Sequence, residues 1–197
     1  MKLRQKILLL AVAPLAVAML GIALAVRYQA TALARHEHAL VEAAYLQSKE
    51  MELRHYVELA QSTIKPMVDS GRKDAATREA AMEALARLDY GPDGYFFLYD
   101  LQGRNLMHPR QPELVGQDLW LMRDPEGALT IQKLIAAASK GGGSVRYLWR
   151  KPSSQQVAPK LGYVVAIPEW NWMVGTGIYL DDVEETLRRL DARAATC

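Results

Sequence analysis

Tyr95, Phe97 and Tyr99 fall on one face of any strand that runs through them, and Val145, Tyr147 and Trp149 do the same farther along. Their rings are core material, but tyrosine and tryptophan also carry a polar tip that needs a partner once buried. Several such tips converging are best satisfied by a small polar guest or by water. His108 closes the segment that follows the first aromatic run, and Lys160 opens the segment after the second, so a switchable donor and a cation stand nearby. These residue types suit recognition of a small anion, a carboxylate above all. Charge-assisted hydrogen bonds contribute about 1.5 to 3 kcal/mol each, and a ligand of about four or five heavy atoms is capped near about 1.5 kcal/mol per atom. The resulting energy of about −6 to −7.5 kcal/mol corresponds to a dissociation constant of roughly a few to tens of micromolar, which suits sensing better than sequestration.

Other chemistries find less support. His36 and His38 point about 200° apart on a helix and cannot share a metal there. His55 and His108 have no ligand-spaced companions. Asp181 and Asp182 stand at a helix start, where carboxylates stabilise the positive end of the dipole. Gly141 to Gly143 follow Ser139-Lys140, the reverse of the order that a phosphate-binding loop needs. There is no Gly-x-Ser-x-Gly elbow, no His-Glu-x-x-His, and no thiol except Cys197 at the last position. The chain is therefore expected to be no enzyme, with neither metal nor cofactor, and the lone cysteine rules out a disulfide within it.

The elements that must position the aromatic residues can be read from periodicity. Tyr28 to about Ile64 lacks internal proline and glycine, and Leu33, Leu40, Ala44 and Met51, then Leu53, Val57, Ala60 and Ile64, mark an apolar stripe on a long helix. Pro66 and Ser70-Gly71 end it, and Ala75 to Leu88 predicts a second helix. From Leu88 onward short aromatic or alternating runs predict strands over 95–100, 105–108, 144–150, 160–167 and 172–178. Asp100 to Gly103 is a tight turn, Pro168 to Asn171 a hairpin turn, and Pro152 to Pro159 a polar, mobile connection. Asp124-Pro125 predicts the start of a helix to about Ser139, and Leu180 onward a terminal helix with Asp181 and Glu184 as a capping box and Arg188, Arg189 and Arg193 towards its end. The fold class is α+β, with an antiparallel five-stranded sheet.

Ile7 to Val26 is an uncharged run of twenty residues, long enough as a helix to span a bilayer. Lys2, Arg4 and Lys6 precede it and keep that end cytoplasmic, which exports the remainder. A cleaved signal peptide is the competing reading, with Ala23-Leu24-Ala25 as its cleavage pattern. Three of the 24 basic residues lie in positions 2–6, so the remainder has 21 against 22 acidic ones. That balance, with no basic stripe among the aromatics, argues against nucleic acid as a partner. The stripe from Leu33 to Ile64 predicts a homodimer.

The order DGYFFLYD, NLMHP, LVGQDLW, DPEG, GGGSVRYLW-KP, APKLGYV and WNWMVGTGIYLDDVE resembles the single Cache domain, second type, of bacterial transmembrane receptors. The resemblance covers roughly residues 30 to 190. It implies a long N-terminal helix and a PAS-like sheet outside the membrane, sensing a small molecule, often a short carboxylate, for a chemoreceptor or histidine kinase. It also implies that Phe97, Tyr99, His108, Trp120, Tyr147, Trp149, Lys160 and Tyr163 bind the ligand. The expected organisation is a cytoplasmic start and anchor over 1–27, a periplasmic sensor over 28–190 and a tail over 191–197, held as a single pass in the inner membrane. Such receptors usually return through the membrane after the terminal helix, and no second apolar run precedes Cys197. An excerpt of a longer receptor and a stand-alone sensor both fit, as does a ligand-free structural or regulatory membrane subunit acting by protein contact.

Overall fold

The computed structural model describes the backbone of residues 3–181, and side chains at 19, 21, 26–29 and 40–181. The chain falls into two units, Met1–Leu46 and Gln47–Cys197. Helix α1 covers Leu3–Asp69. The run Ile7 to Val26 has a helical backbone within α1, but nearly all of its side chains lie outside the described residues. Among the described residues no helix is long and apolar enough to cross a membrane.

Leu53, Val57, Ala60 and Ile64 are buried at steps of four, three and four, so one face of this part of α1 rests on the core. Leu40 and Met51 from the same predicted stripe are exposed. Gly71, at φ +70, follows the helix end, and α2 (Ala75–Ala86) begins where Asp74 accepts from the backbone N–H of Thr77.

The sheet contains β3 (Phe97–Asp100), β4 (Asn105–Met107), β5 (Gly143–Arg150), β6 (Val157–Ile167) and β7 (Trp172–Tyr179), in the spatial order β4-β3-β7-β6-β5 with every pair antiparallel. All five expected strands are present in this antiparallel sheet. The tight turn before β4 forms as expected, with Gly103 at φ +97 and Asp100 Oδ1 accepting from the N–H of Gln102 and Arg104. A further ribbon, β1 (Asp89–Tyr90) paired with β2 (Gly94–Tyr95), has no counterpart in the sequence reading.

The helix expected from Asp124 starts later, as α3 (Thr130–Ser139). Asp124 Oδ1 instead accepts from the N–H of Glu126 and Ala128, and Gly127 sits at φ +82. The Asp-Pro pair therefore closes a turn whose left-handed glycine ends any helix before it begins. The connection expected to be mobile is tied down: Asp93 accepts from the N–H and the hydroxyl of Ser153 at 2.8 and 2.7 Å, and Lys151 N–H donates to Gln156 O at 2.8 Å. Asp93→Ala removes both side-chain bonds to the carboxylate, so urea denaturation is expected to show a loss of about 1–3 kcal/mol. Leu180 and Asp181 open a helical turn, while residues 182–197, with the rest of the expected terminal helix and tail, lie outside the described residues.

Each face of the sheet has its own core. Phe96, Leu98, Ile167, Trp172 and Val174 pack with α1 and α2 on one face. Tyr95, Phe97, Tyr99, Tyr147, Trp149, Val164, Met173 and Tyr179 pack with α3 on the other. Strand alternation separates these sets, and the second contains the candidate site.

Candidate functional site

Phe97 and Tyr99 reach the α3 face from β3, Tyr147 and Trp149 from β5, and His108 from just beyond β4. With Tyr95 on β2 and Ile131 and Leu134 on α3 they line a cavity of about 10 Å³. That volume holds about one water molecule. Lys160 enters from β6, where its Cα is paired with Tyr147 on one side and Tyr179 on the other. The side chain is 0% exposed, and its Nζ lies 3.8 Å from the centre of the Tyr95 ring, 4.8 Å from Tyr179 and 5.9 Å from Phe97. The rings favour a cation at that position, but Nζ has no hydrogen-bond partner in the protein to satisfy one.

Glycines make the cage possible. A Cβ on Gly162 would lie 2.8 Å from a ring carbon of Tyr147, one on Gly175 would lie 2.7 Å from the Phe97 ring, and one on Gly177 would lie 2.9 Å from Lys160 Cε. Side chains at these positions would occupy the space taken by the site residues.

The polar tips divide into satisfied and unsatisfied groups. Thr176 Oγ1 donates to Tyr95 O at 2.7 Å, so Tyr90 supplies the proton in its 2.5 Å bond with Thr176. Tyr179 OH donates to Arg150 O at 2.7 Å and stands 3.4 Å from Tyr95 OH. Trp149 Nε1 donates to Gln111 Oε1 at 2.7 Å. His108 Nδ1, Tyr99 OH and Lys160 Nζ are buried without partners, and an unpaired buried polar group is costly unless a guest completes it. His108 lies between aromatic rings, its own ring 4.9 Å from Tyr95 and 6.0 Å from Trp149, in a stacked arrangement with the latter.

Burial controls the charges. It lowers Lys160 from the usual lysine range to about 7, against a smaller upward pull from the Asp93 carboxylate. His108 is lowered to about 3, first by burial and then by the neighbouring Lys160. Burial also raises the phenols of Tyr95, Tyr99, Tyr147 and Tyr179 well above the usual tyrosine range, so they remain neutral donors. The site thus offers hydroxyls, a neutral imidazole and an amine poised between its two charge states.

Of the expected ligand residues, Phe97, Tyr99, His108, Tyr147 and Trp149 line the cavity, with Lys160 beside them over Tyr95. Trp120 and Tyr163 are elsewhere. Trp120 is 37% exposed, and Tyr163 packs against the core on the α1 side. Tyr163 is three residues beyond Lys160, so strand alternation alone places the two on opposite faces. Tyr95, Tyr179, Ile131 and Leu134 were missing from the expected set, although Tyr95 shares a strand face with Phe97 and Tyr99. His55 is exposed, the side chains of His36 and His38 lie outside the described residues, and among the described residues no group of His, Cys, Asp or Glu is placed to hold a metal.

Comparison with known proteins agrees with this architecture. Residues 45–190 match the family described as Single Cache domain 2. Sensor histidine kinase MctS of Rhizobium johnstonii is 42% identical over 93% of the chain, and methyl-accepting chemotaxis protein McpP of Pseudomonas putida is 32% identical over 73%. The chain spans 40% of the length of the first and 27% of the second. Among solved structures, a methyl-accepting chemotaxis protein from Vibrio parahaemolyticus superposes with a TM-score of 0.71 and 37% identity, covering 75% of this chain and 99% of that one. A Cache chemosensory domain solved to explain carboxylic acid recognition gives 0.64 and 29% identity, covering 70% and 97%. The sheet order, the long leading helix and the family match over most of the sequence lead to one assignment: the chain belongs to the Single Cache domain 2 family, the sensor domains of chemoreceptors and histidine kinases.

Proposed function

We propose that the chain is the periplasmic sensor of an inner-membrane signalling receptor, anchored through residues 1–27, and that it binds a short carboxylate between β2, β3, β5, β6 and α3. The observation that carries this reading is Lys160, fully buried, caged by aromatic rings and without a hydrogen-bond partner. An anion in contact with Nζ would provide the missing counter-charge, and His108 and Tyr99 would provide further polar contacts. The carboxylic acid recognition described for one of the similar solved domains supports the same ligand class. The sensor spans residues 28–190 and works as a homodimer, to which the exposed Met51 and Leu59 of α1 give an apolar surface.

A cavity of about 10 Å³ is too small for even a two-carbon acid, so binding must move a wall. Ile131 and Leu134 form that wall, and displacement of α3 from the sheet is the expected response. The ligand then biases the conformation with the wider cavity, and the shift reaches the helices on the membrane side as signal. The same small volume favours a second reading, a ligand-free structural or regulatory subunit whose core is simply filled.

A thermal-shift screen of short organic acids, amines and nucleobases on the detergent-solubilised chain separates the two readings. A monocarboxylate or dicarboxylate is expected to raise the midpoint by several degrees, since a ligand specific to the native state stabilises it by mass action. No shift from any acid would favour the filled-core subunit.

A further inference from the structure

We propose that this chain captures its carboxylate together with a proton, the Lys160 amine being neutral while the aromatic cage holds no anion and charged once one enters. The inference rests on the carboxylate reading above and adds a dependence on pH that the family assignment does not contain. Geometry carries it. The amine is 0% exposed, has no hydrogen-bond partner, and is surrounded by rings at 3.8 to 5.9 Å. Gly177 leaves no slack behind its stem, because a Cβ there would meet Lys160 Cε at 2.9 Å. The side chain therefore has no evident route by which to carry its charge to water.

The groups that face it cannot supply a counter-charge. Tyr95 on β2, Tyr99 on β3, Tyr147 on β5 and Tyr179 on β7 are neutral phenols held far from ionisation by burial. His108 beyond β4 is neutral and would repel the ammonium if it gained a proton. From α3 come only Ile131 and Leu134. The acid whose field reaches the amine is Asp93 in the β1–β2 turn, already engaged by Ser153 and standing 4.0 Å from Lys151. An isolated buried ammonium gives up its proton more readily than it tolerates desolvation. The placement of Lys160 at about 7 agrees with that argument. An entering carboxylate restores the reason to be charged, and the pair forms as –NH3+ and –COO−, with one proton drawn from solvent. No redox step or co-reactant is involved.

The linkage has a definite sign. Above about pH 7 each guest must bring a proton, so affinity for the anion falls by up to about tenfold for each pH unit. Below that pH the amine is already charged and affinity levels off. Without any ligand, the unfolded chain holds this proton up to about pH 10.4 while the native chain does not, so stability rises with pH between about 7 and about 9.5. The window ends there because unfolded tyrosines ionise near pH 10 and pull the other way.

Acetate is the probe, used with the full chain in detergent. Titration calorimetry at about pH 8.5 in phosphate and in Tris, whose ionisation enthalpies differ, is expected to give apparent enthalpies whose difference, divided by that of the two buffers, is nearly one proton taken up per bound acetate. Acetate binding with the same enthalpy in both buffers, and with unchanged affinity between about pH 7 and 9, would overturn the inference while leaving the carboxylate site intact. If acetate does not bind, the ligand reading suffers and urea denaturation decides this inference alone. Stability that rises from about pH 7 to 9.5 in the parent chain and stays flat in Lys160→Met supports the neutral amine. A parent chain as flat as the variant refutes it.

Discussion

Lys160→Met is expected to raise the thermal midpoint of the chain and to weaken carboxylate binding at least tenfold. The two effects have one cause. Holding the amine at about 7 in the folded protein, against about 10.4 unfolded, destabilises the native state by on the order of 4 kcal/mol at neutral pH. Methionine keeps the length of the stem, makes favourable contacts with the surrounding rings and removes the group that no protein atom satisfies. Even a buried ion pair is often replaced by apolar side chains of similar volume with a gain of about 1–4 kcal/mol, and an amine with no internal partner is a more favourable case still. The affinity loss follows because charge-assisted contacts are the strongest that a small anion can make here. Thermal denaturation and calorimetry on the same preparation check both halves. Unchanged affinity would remove Lys160 from the site, whereas a lower midpoint would show that the amine already has a stabilising role within the protein.

Much of this site follows from alternation along strands. Tyr95, Phe97 and Tyr99 were placed on one face by their spacing, and Tyr147 and Trp149 on another, and the antiparallel order of β3, β7, β6 and β5 brings those faces together on the α3 side. Lys160 belongs with them for the same reason. Tyr163 does not, and its odd separation from Lys160 was visible in the sequence. Trp120 is a different case. It entered through a motif shared with a family, and it lies in an irregular segment where no period tells which way a side chain points. The wall made by Ile131 and Leu134 depends on how α3 docks across the sheet, which pairwise packing decides and local pattern does not. The delayed start of α3 turns on Gly127, whose positive φ lets Asp124 close a turn instead of capping a helix. Strands of two residues such as β1 and β2 are too short to show any alternation, so the ribbon that presents Tyr95 and Asp93 left no trace in periodicity.

Gly177→Ala tests whether the backbone itself sets the position of the amine. Its Cβ would lie 2.5 Å from Leu161 O, 2.9 Å from Lys160 Cε and 3.0 Å from Gly162 Cα. The lysine methylene can turn aside, but the carbonyl and the Cα belong to β6, paired with β7 through Gly162 and Gly177, and cannot move without opening the ladder. Relief therefore comes from separating β6 from β7 or from pushing the Lys160 stem off the Tyr95 ring. Either route should cost about 1–3 kcal/mol of stability, as overpacking does. The site loses more than the fold, because a displacement of about 1 Å breaks the alignment on which charge-assisted contacts depend, so acetate affinity should fall tenfold or more. Gly143→Ala serves as the control: its Cβ would meet only Ala137 Cβ, at 3.8 Å, an ordinary contact at the far end of β5. That variant should keep parental stability and affinity. Calorimetry showing Gly177→Ala binding acetate as the parent does would mean that the cage adapts around the amine, and the rigid placement from which both the unpartnered charge and its proton linkage were argued would be lost.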